Sequence, residues 1–341
     1  MKKTFALVLA LAMVFSLFAI NASAAKSDEF HLELKFSNVF NPKEWNYKAS
    51  QMLADMITER TEGHVVVTYY GTNELDCYAD SVTQAVNGSL WMGLEEPSLF
   101  ADYCGDAAMV IAPMLYSSNE EYNYVMDSEI VANVIETLKE SNIHILDTHY
   151  SFGFRSVCSN LDVTTPADLN GHQFRATSSA LFAKTLECLG ATPVVMGFTD
   201  CLAAIQQGVV EGFEGSVSTL SGAGEPYELV KKVASTNHLI ATRWLFMPED
   251  VWQSIPEEYQ TIIEECAYEC GMWEQKSCEE DEAVQIEMLK GEGVTWNDVD
   301  LDAFGAAMNP VIDWIVEEYG STYEAYEAIK GLVAEYRAAN S

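Results

Sequence analysis

The sequence predicts an α/β protein of two lobes, each a mostly parallel sheet flanked by helices. Two observations carry this. Near the start of the chain, apolar residues switch between strand and helix periodicity in the order β-α-β-α-β, and the succession resumes after Gly153. Once an N-terminal targeting segment is set aside, about 317 of the 341 residues remain. That is more than one hydrophobic core usually organises.

The targeting segment is residues 1–24. Lys2 and Lys3 precede an apolar run from Phe5 to Ile20, and Ala22-Ser23-Ala24 is an A-x-A cleavage site. No Cys precedes Cys77, so no lipid-anchoring cysteine lies near the cut. The expectation is an exported, periplasmic protein that is not inserted in the membrane.

The first strand is marked by Phe30, Leu32, Leu34 and Phe36 in alternation. Pro42 opens a helix with Trp45, Ala49, Met52, Leu53, Met56 and Ile57, and Gly63 falls just past its end. Val65 to Tyr70 is the second strand, Ser81 to Val86 a helix closed by Gly88, and Leu90 to Leu94 the third strand. One helix is predicted over 119–139 and a strand over Ile143–Leu146. The second lobe begins near Gly153. Thr165-Pro166-Ala167-Asp168 reads as a helix start with proline in the first turn. Then come a strand Gln173–Ala176, a helix closed by Gly190, a strand Pro193–Met196, a helix capped by Thr199 and closed by Gly208, and a strand Val209–Phe213. Pro256 to Lys290 is either one helix of about 50 Å or two meeting near Gly271. Acidic amphipathic helices are expected over Pro310–Tyr319 and Thr322–Arg337. The lobes are expected to comprise 25–152 with about 241–280, and 153–240 with about 281–341.

The formal charge is −34. Such a chain lacks the basic footprint that nucleic acid requires, and anionic membrane surfaces are disfavoured for the same reason. A small anionic ligand is not excluded, because its binding depends on local donors. The eight cysteines include no C-x-x-C pair, and most are expected to be free buried thiols, with Cys77–Cys104 the one candidate bridge. The six histidines show no metal spacing, and no G-x-S-x-G elbow, P-loop or dinucleotide fingerprint occurs. Catalysis is disfavoured, and neither cofactor nor metal is expected.

The most specific stretch runs from Gly153 to Gly215. It contains GFR (Gly153-Phe154-Arg155), TTPADLNGHQFRA (Thr164 to Ala176) and LGATPVVMGFTDCLAAIQQGVVEGFEG (Leu189 to Gly215). This run resembles the solute-binding proteins of tripartite ATP-independent periplasmic (TRAP) transporters, the DctP-like family. The resemblance implies a periplasmic-binding-protein-like fold with one long helix spanning both lobes. It also implies capture of a small organic acid and delivery to a small and a large membrane subunit driven by an ion gradient. A monomer is expected. The alternative is a binding protein of an ATP-driven importer, or a sensor subunit, on the same two lobes.

Taken alone, an arginine on a strand is more often an intra-lobe salt-bridge residue. The resemblance assigns Arg175, the arginine of the DLxGxxxR phrase, to the ligand carboxylate, which a guanidinium fork matches with two parallel hydrogen bonds. Arg155, of the GxR phrase, is implied to reach the same cleft; pairing with an acidic loop is its other reading. Two inward arginines would suit a monoanion held twice or a dicarboxylate. Gly215 stands where the family carries a polar residue after G-x-V-D-G-x-E, so that Ser216 or Ser218 substitutes, or the ligand is less polar there. Glu96 follows a strand end, where ligands collect in open α/β sheets, although an acidic loop is the blander reading. Asn41 and Asn73 lie near the cleft by analogy, with Val39. Of the aromatic residues at strand ends (Tyr150, Phe152, Phe198, Phe213, Trp244), Phe198 is the one expected in the site. These features tilt the expected ligand towards smaller or more apolar carboxylates.

Overall fold

The computed structural model describes residues 30–340 apart from residue 223, so the targeting segment lies outside the described residues. The chain begins with β1 (Leu32–Ser37), whose even residues are buried and whose exposed positions alternate with them. Then follow α1 (Trp45–Arg60), β2 (Val65–Tyr70), α2 (Ala79–Val86) and β3 (Trp91–Glu95). This is the β-α-β-α-β opening the sequence predicts, with β1 parallel to both β2 and β3. Short α3 (Asp106–Met109) precedes α4 (Asn119–Met126) and α5 (Glu129–Lys139). The single helix expected over 119–139 is two helices, because the Ser128 hydroxyl accepts the Val131 N–H and caps a new start.

β4 (Ile143–Ser159) is four times the expected strand. Its polar middle hides the strand pattern, but the polar groups are satisfied. Asp147 accepts the His149 N–H at 2.8 Å, and the Ser151 N–H donates to Glu274 at 3.0 Å. After it come β5 (Gln173–Ala176), α6 (Ala180–Cys188), β6 (Thr192–Val195), α7 (Phe198–Gln206), β7 (Gly212–Gly215) and α8 (Val217–Ser221). α7 starts at Phe198 with Gly197 as its N-cap, so Thr199 lies inside the first turn rather than capping it. β8 (Lys232–Pro248), which the sequence analysis does not assign, is nearly all buried.

The strands form one nine-stranded sheet in the order β2-β1-β3-β8-β4-β7-β5-β6, with a short β9 (Thr295–Asn297) beside β8. The outer strands of each half are parallel. The two long strands β4 and β8 are antiparallel to each other and join the halves, which makes the sheet mixed. Their pairing slips at four places, one between Ser151 and Phe154 beside Gly153, whose φ is +93°.

α9 (Glu249–Ser254) leads into α10 (Glu257–Gly291), one unbroken helix of 35 residues packed along β4, α1 and α8. Gly271 is buried inside it. A Cβ there would stand 2.5 Å from an Asp147 carboxylate oxygen and 3.1 Å from the Tyr150 ring. The glycine therefore serves close approach to the sheet and breaks nothing. α11 (Leu301–Tyr319) begins before Pro310 because Asp300 accepts the Ala303 N–H at 3.0 Å. The last helix, α12 (Tyr323–Ala339), packs on α4 through Arg337–Glu121 and Tyr124–Tyr336. All eight cysteines are free thiols, Cys77 and Cys104 included, and the Cys77 thiol engages the Ser37 hydroxyl instead.

Candidate functional site

A partly open cleft, with about 970 Å³ of empty space including its mouth, lies over the carboxyl ends of the parallel strands. From the first half, the turn after β1 supplies Val39, Phe40 and Asn41. That turn is pinned by Asn38, which donates to Ser50 at 2.8 Å and accepts from the Tyr69 hydroxyl at 2.8 Å. Thr72 and Asn73, after β2, adopt positive φ of 56° and 59°, and their N–H groups return to the Phe40 and Asn38 carbonyls. Asn41 donates its backbone N–H to Glu44 at 2.9 Å and its side-chain amide to the same oxygen. Burial pushes the Glu44 carboxyl up to about 7.

Glu96 is buried in the cleft wall with its carboxylate committed to Ser98, from the backbone N–H at 3.0 Å and the hydroxyl at 2.6 Å. Burial raises its pKa against these hydrogen bonds. Behind it Glu95, pushed by burial up to about 8, accepts the Tyr78 N–H at 2.6 Å. Tyr78 has a positive φ of 59° and lines the cleft.

From the second half, Arg175 on β5 is 4% exposed. Its Nε donates to the Met196 carbonyl at 3.0 Å, and its guanidinium lies 5.4 Å from the Phe198 ring centroid. Its two terminal nitrogens have no partner among the described residues, and burial lowers its pKa. Arg155, equally buried, differs. Its fork is closed on Glu214, with Nη2 2.7 Å from the carboxylate and 2.9 Å from the Glu214 carbonyl, and Nε on the other carboxylate oxygen. That partner raises its pKa against a lowering by burial. Arg155 lines the cleft, stacked 4.8 Å from the Phe182 ring centroid, but its bidentate face is spent inside the protein.

The cleft thus brings together Arg175, Arg155, Phe198, Glu96, Asn41 and Asn73. It does not include Gly215, which lines a neighbouring cavity with Ser216, Cys158 and Asn237. A Cβ at 215 would stand 3.1 Å from both the Phe213 ring and Thr219. β7 ends there, Ser216 caps α8, and the helix returns Thr219, not Ser216 or Ser218, to the cleft. Tyr150, Phe213 and Trp244 are core residues. Sequence reasoning missed Tyr78, whose placement is a backbone effect with no local signal. It also missed Arg243 on β8, for which a signal exists. The chain has only five arginines, and three of them line this one cleft. Among the described residues no cluster of His, Cys, Asp or Glu side chains is arranged to hold a metal ion.

Buried guanidinium groups on an apolar wall, opened to solvent between two halves of a sheet, define a protein built to hold a small anion. Residues 36–319 match the family described as bacterial extracellular solute-binding protein, family 7 (DctP), and the chain belongs to it. This is a family of transport proteins rather than enzymes. A TRAP periplasmic solute-binding protein from Desulfovibrio salexigens, solved in complex with diglycerolphosphate, is 33% identical with a TM-score of 0.88, covering 91% of this chain and 99% of that one. A second, from Fusobacterium nucleatum with bound sn-glycerol-3-phosphate, is 30% identical with a TM-score of 0.87, covering 90% and 98%. The sialic acid-binding periplasmic protein SiaP of Vibrio cholerae is 25% identical over 86% of this chain and 91% of its own. No helix among the described residues is long and apolar enough to cross a membrane.

Proposed function

We propose that this chain is the periplasmic solute-binding subunit of a TRAP transporter, and that it captures a small organic acid through a salt bridge from Arg175. The observation that carries this reading is the Arg175 fork, buried at the cleft wall with both terminal nitrogens unmatched. A charge held that way is costly until an anion meets it, and a carboxylate fits it with two parallel hydrogen bonds. The two lobes close over the ligand by bending where β4 and β8 cross between the halves, with slipped pairing beside Gly153 as the compliant point. Closure removes water and strengthens the pair. It also presents a shape that the small and large membrane subunits recognise.

A second reading replaces the carboxylate with a phosphate ester. It is favoured by two solved relatives at 33% and 30% identity, one in complex with diglycerolphosphate and one with bound sn-glycerol-3-phosphate. The polar groups contributed by Asn41, Glu44 and Asn73 suit ligand hydroxyls, against the expected tilt towards apolar acids.

The test is a thermal-shift screen of organic acids on protein unfolded and refolded to strip carried-over ligand. A ligand at a hundred times its Kd adds about 2.7 kcal/mol of stability. Arg175→Ala is expected to lose affinity by at least about 100-fold, or roughly 2.7 kcal/mol, with its circular dichroism unchanged. Undiminished affinity in that variant sinks the assignment.

A further inference from the structure

Arg175 is not alone in lacking an ion pair among the described residues. Arg243 sits beside the edge-to-face pair of Phe40 and Phe152, its guanidinium carbon 5.3 and 5.2 Å from their ring centroids. It is 8% exposed and lines the same cleft. Nη1 donates to the carbonyl of the adjacent Thr242 at 2.7 Å, while the buried Nε has no hydrogen-bond partner among the described residues. The carboxyls nearby are held elsewhere: Glu95 by the Tyr78 N–H, Glu96 by Ser98, and Glu44 by Asn41. None of them forms an ion pair with Arg243 among the described residues. Burial lowers the pKa of Arg243 against the pull of Glu95 and Glu96, and that of Arg175 against Tyr78 and Glu214, whereas at Arg155 the direct pair with Glu214 outweighs burial. Of the three buried guanidiniums, only that of Arg155 is closed in an ion pair among the described residues. The two rings pack against Arg243 at the cleft wall, and its buried Nε stays without a hydrogen-bond partner among the described residues.

We propose that Arg243 is a second anion-binding residue of this cleft, and that the cleft selects small acids carrying two negative charges over singly charged ones. The inference rests on the reading that Arg175 holds the acid. A phosphate monoester carries both charges on one group, and a short dicarboxylate carries them at two ends. Either supplies a charge for each of Arg175 and Arg243, which line the cleft.

Calorimetry on the whole, ligand-stripped protein tests this with two matched pairs: sn-glycerol 3-phosphate against its methyl diester, and succinate against succinamate. In at least one pair the doubly charged member is expected to bind about 100-fold more tightly, the scale of a close, buried charge pair. A response of the phosphate pair names a phosphate ester, and a response of the succinate pair names a dicarboxylate. Arg243→Met is expected to shrink the preference to less than about tenfold. Arg243→Lys, which keeps the charge in case the Met variant fails to fold, is expected to retain part of it. Singly charged members binding within about threefold of their doubly charged partners in both pairs overturns the inference. So does failure of all four to bind while other acids give an Arg175-dependent shift. If no acid gives such a shift, the parent reading falls with it.

Discussion

Arg155 on β4 and Arg175 on β5 are equally buried, with β7 between their strands, and differ in one partner. Glu214, itself 1% exposed, closes the fork of Arg155 and leaves that of Arg175 open. The paired arginine is part of the wall, and the unpaired one is available to a ligand. Glu214→Gln should therefore act on stability first. It strands a buried guanidinium, and breaking a buried pair from one side costs about 3–5 kcal/mol. Urea denaturation is the check; a loss below about 1 kcal/mol, the range of an exposed pair, would show that Arg155 finds other compensation. The residue patterns of the DLxGxxxR and GxR phrases made both arginines visible in the sequence. Their different fates were not, because Glu214 reaches Arg155 only through the antiparallel pairing of β7 with β4.

At the scale of elements, α10 and β4 show how a local rule yields to packing. A glycine in a helix interior costs roughly 1 kcal/mol relative to alanine, so Gly271→Ala would stabilise an isolated helix. Here the added methyl meets the Asp147 carboxylate and the Tyr150 ring, neither of which is a free chain end. Gly271→Ala is expected to destabilise by about 1–3 kcal/mol, the usual cost of overpacking. An unchanged or raised denaturation midpoint would mean that the helix can lift off the strand. The same contact explains why Pro256 to Lys290 reads ambiguously in the sequence. Gly271 looks like a break until the strand beneath it is known. Likewise β4 reads as a short strand because its polar stretch at Asp147, His149 and Ser151 is satisfied by partners remote in sequence, such as Glu274.

For the molecule as a whole, a strongly acidic chain has folded with several carboxyls out of water. Burial pushes Glu95 and Glu274 up to about 8 and Glu44 up to about 7. In the unfolded chain such groups ionise near 4.3. Between those values the folded state holds protons that the unfolded state has released, so stability falls as pH rises through this window. His238, lowered by burial to about 4, opposes this only below its unfolded value near 6.5. The raised pKa of His149, set by Asp147 and Asp127 against burial, adds to the fall above that value. Urea denaturation from pH 6.5 to 8 should therefore show declining stability, with a shallower decline in Glu274→Gln. A flat or rising profile would mean that these carboxyls are ionised in the folded protein.

The sequence by itself determined the alternation of strands and helices, the α/β class, the family phrases and six of the seven candidate residues that meet in the cleft. These are local properties: periodicity, helix ends and short motifs survive in one dimension. Only the tertiary structure decided that the two sheets are one, that β8 carries a third arginine to the site, that Thr219 rather than position 215 faces the cleft, and which guanidinium is left open. Each of these depends on which strand lies beside which, and a buried charge takes its role from the neighbours that meet it or fail to.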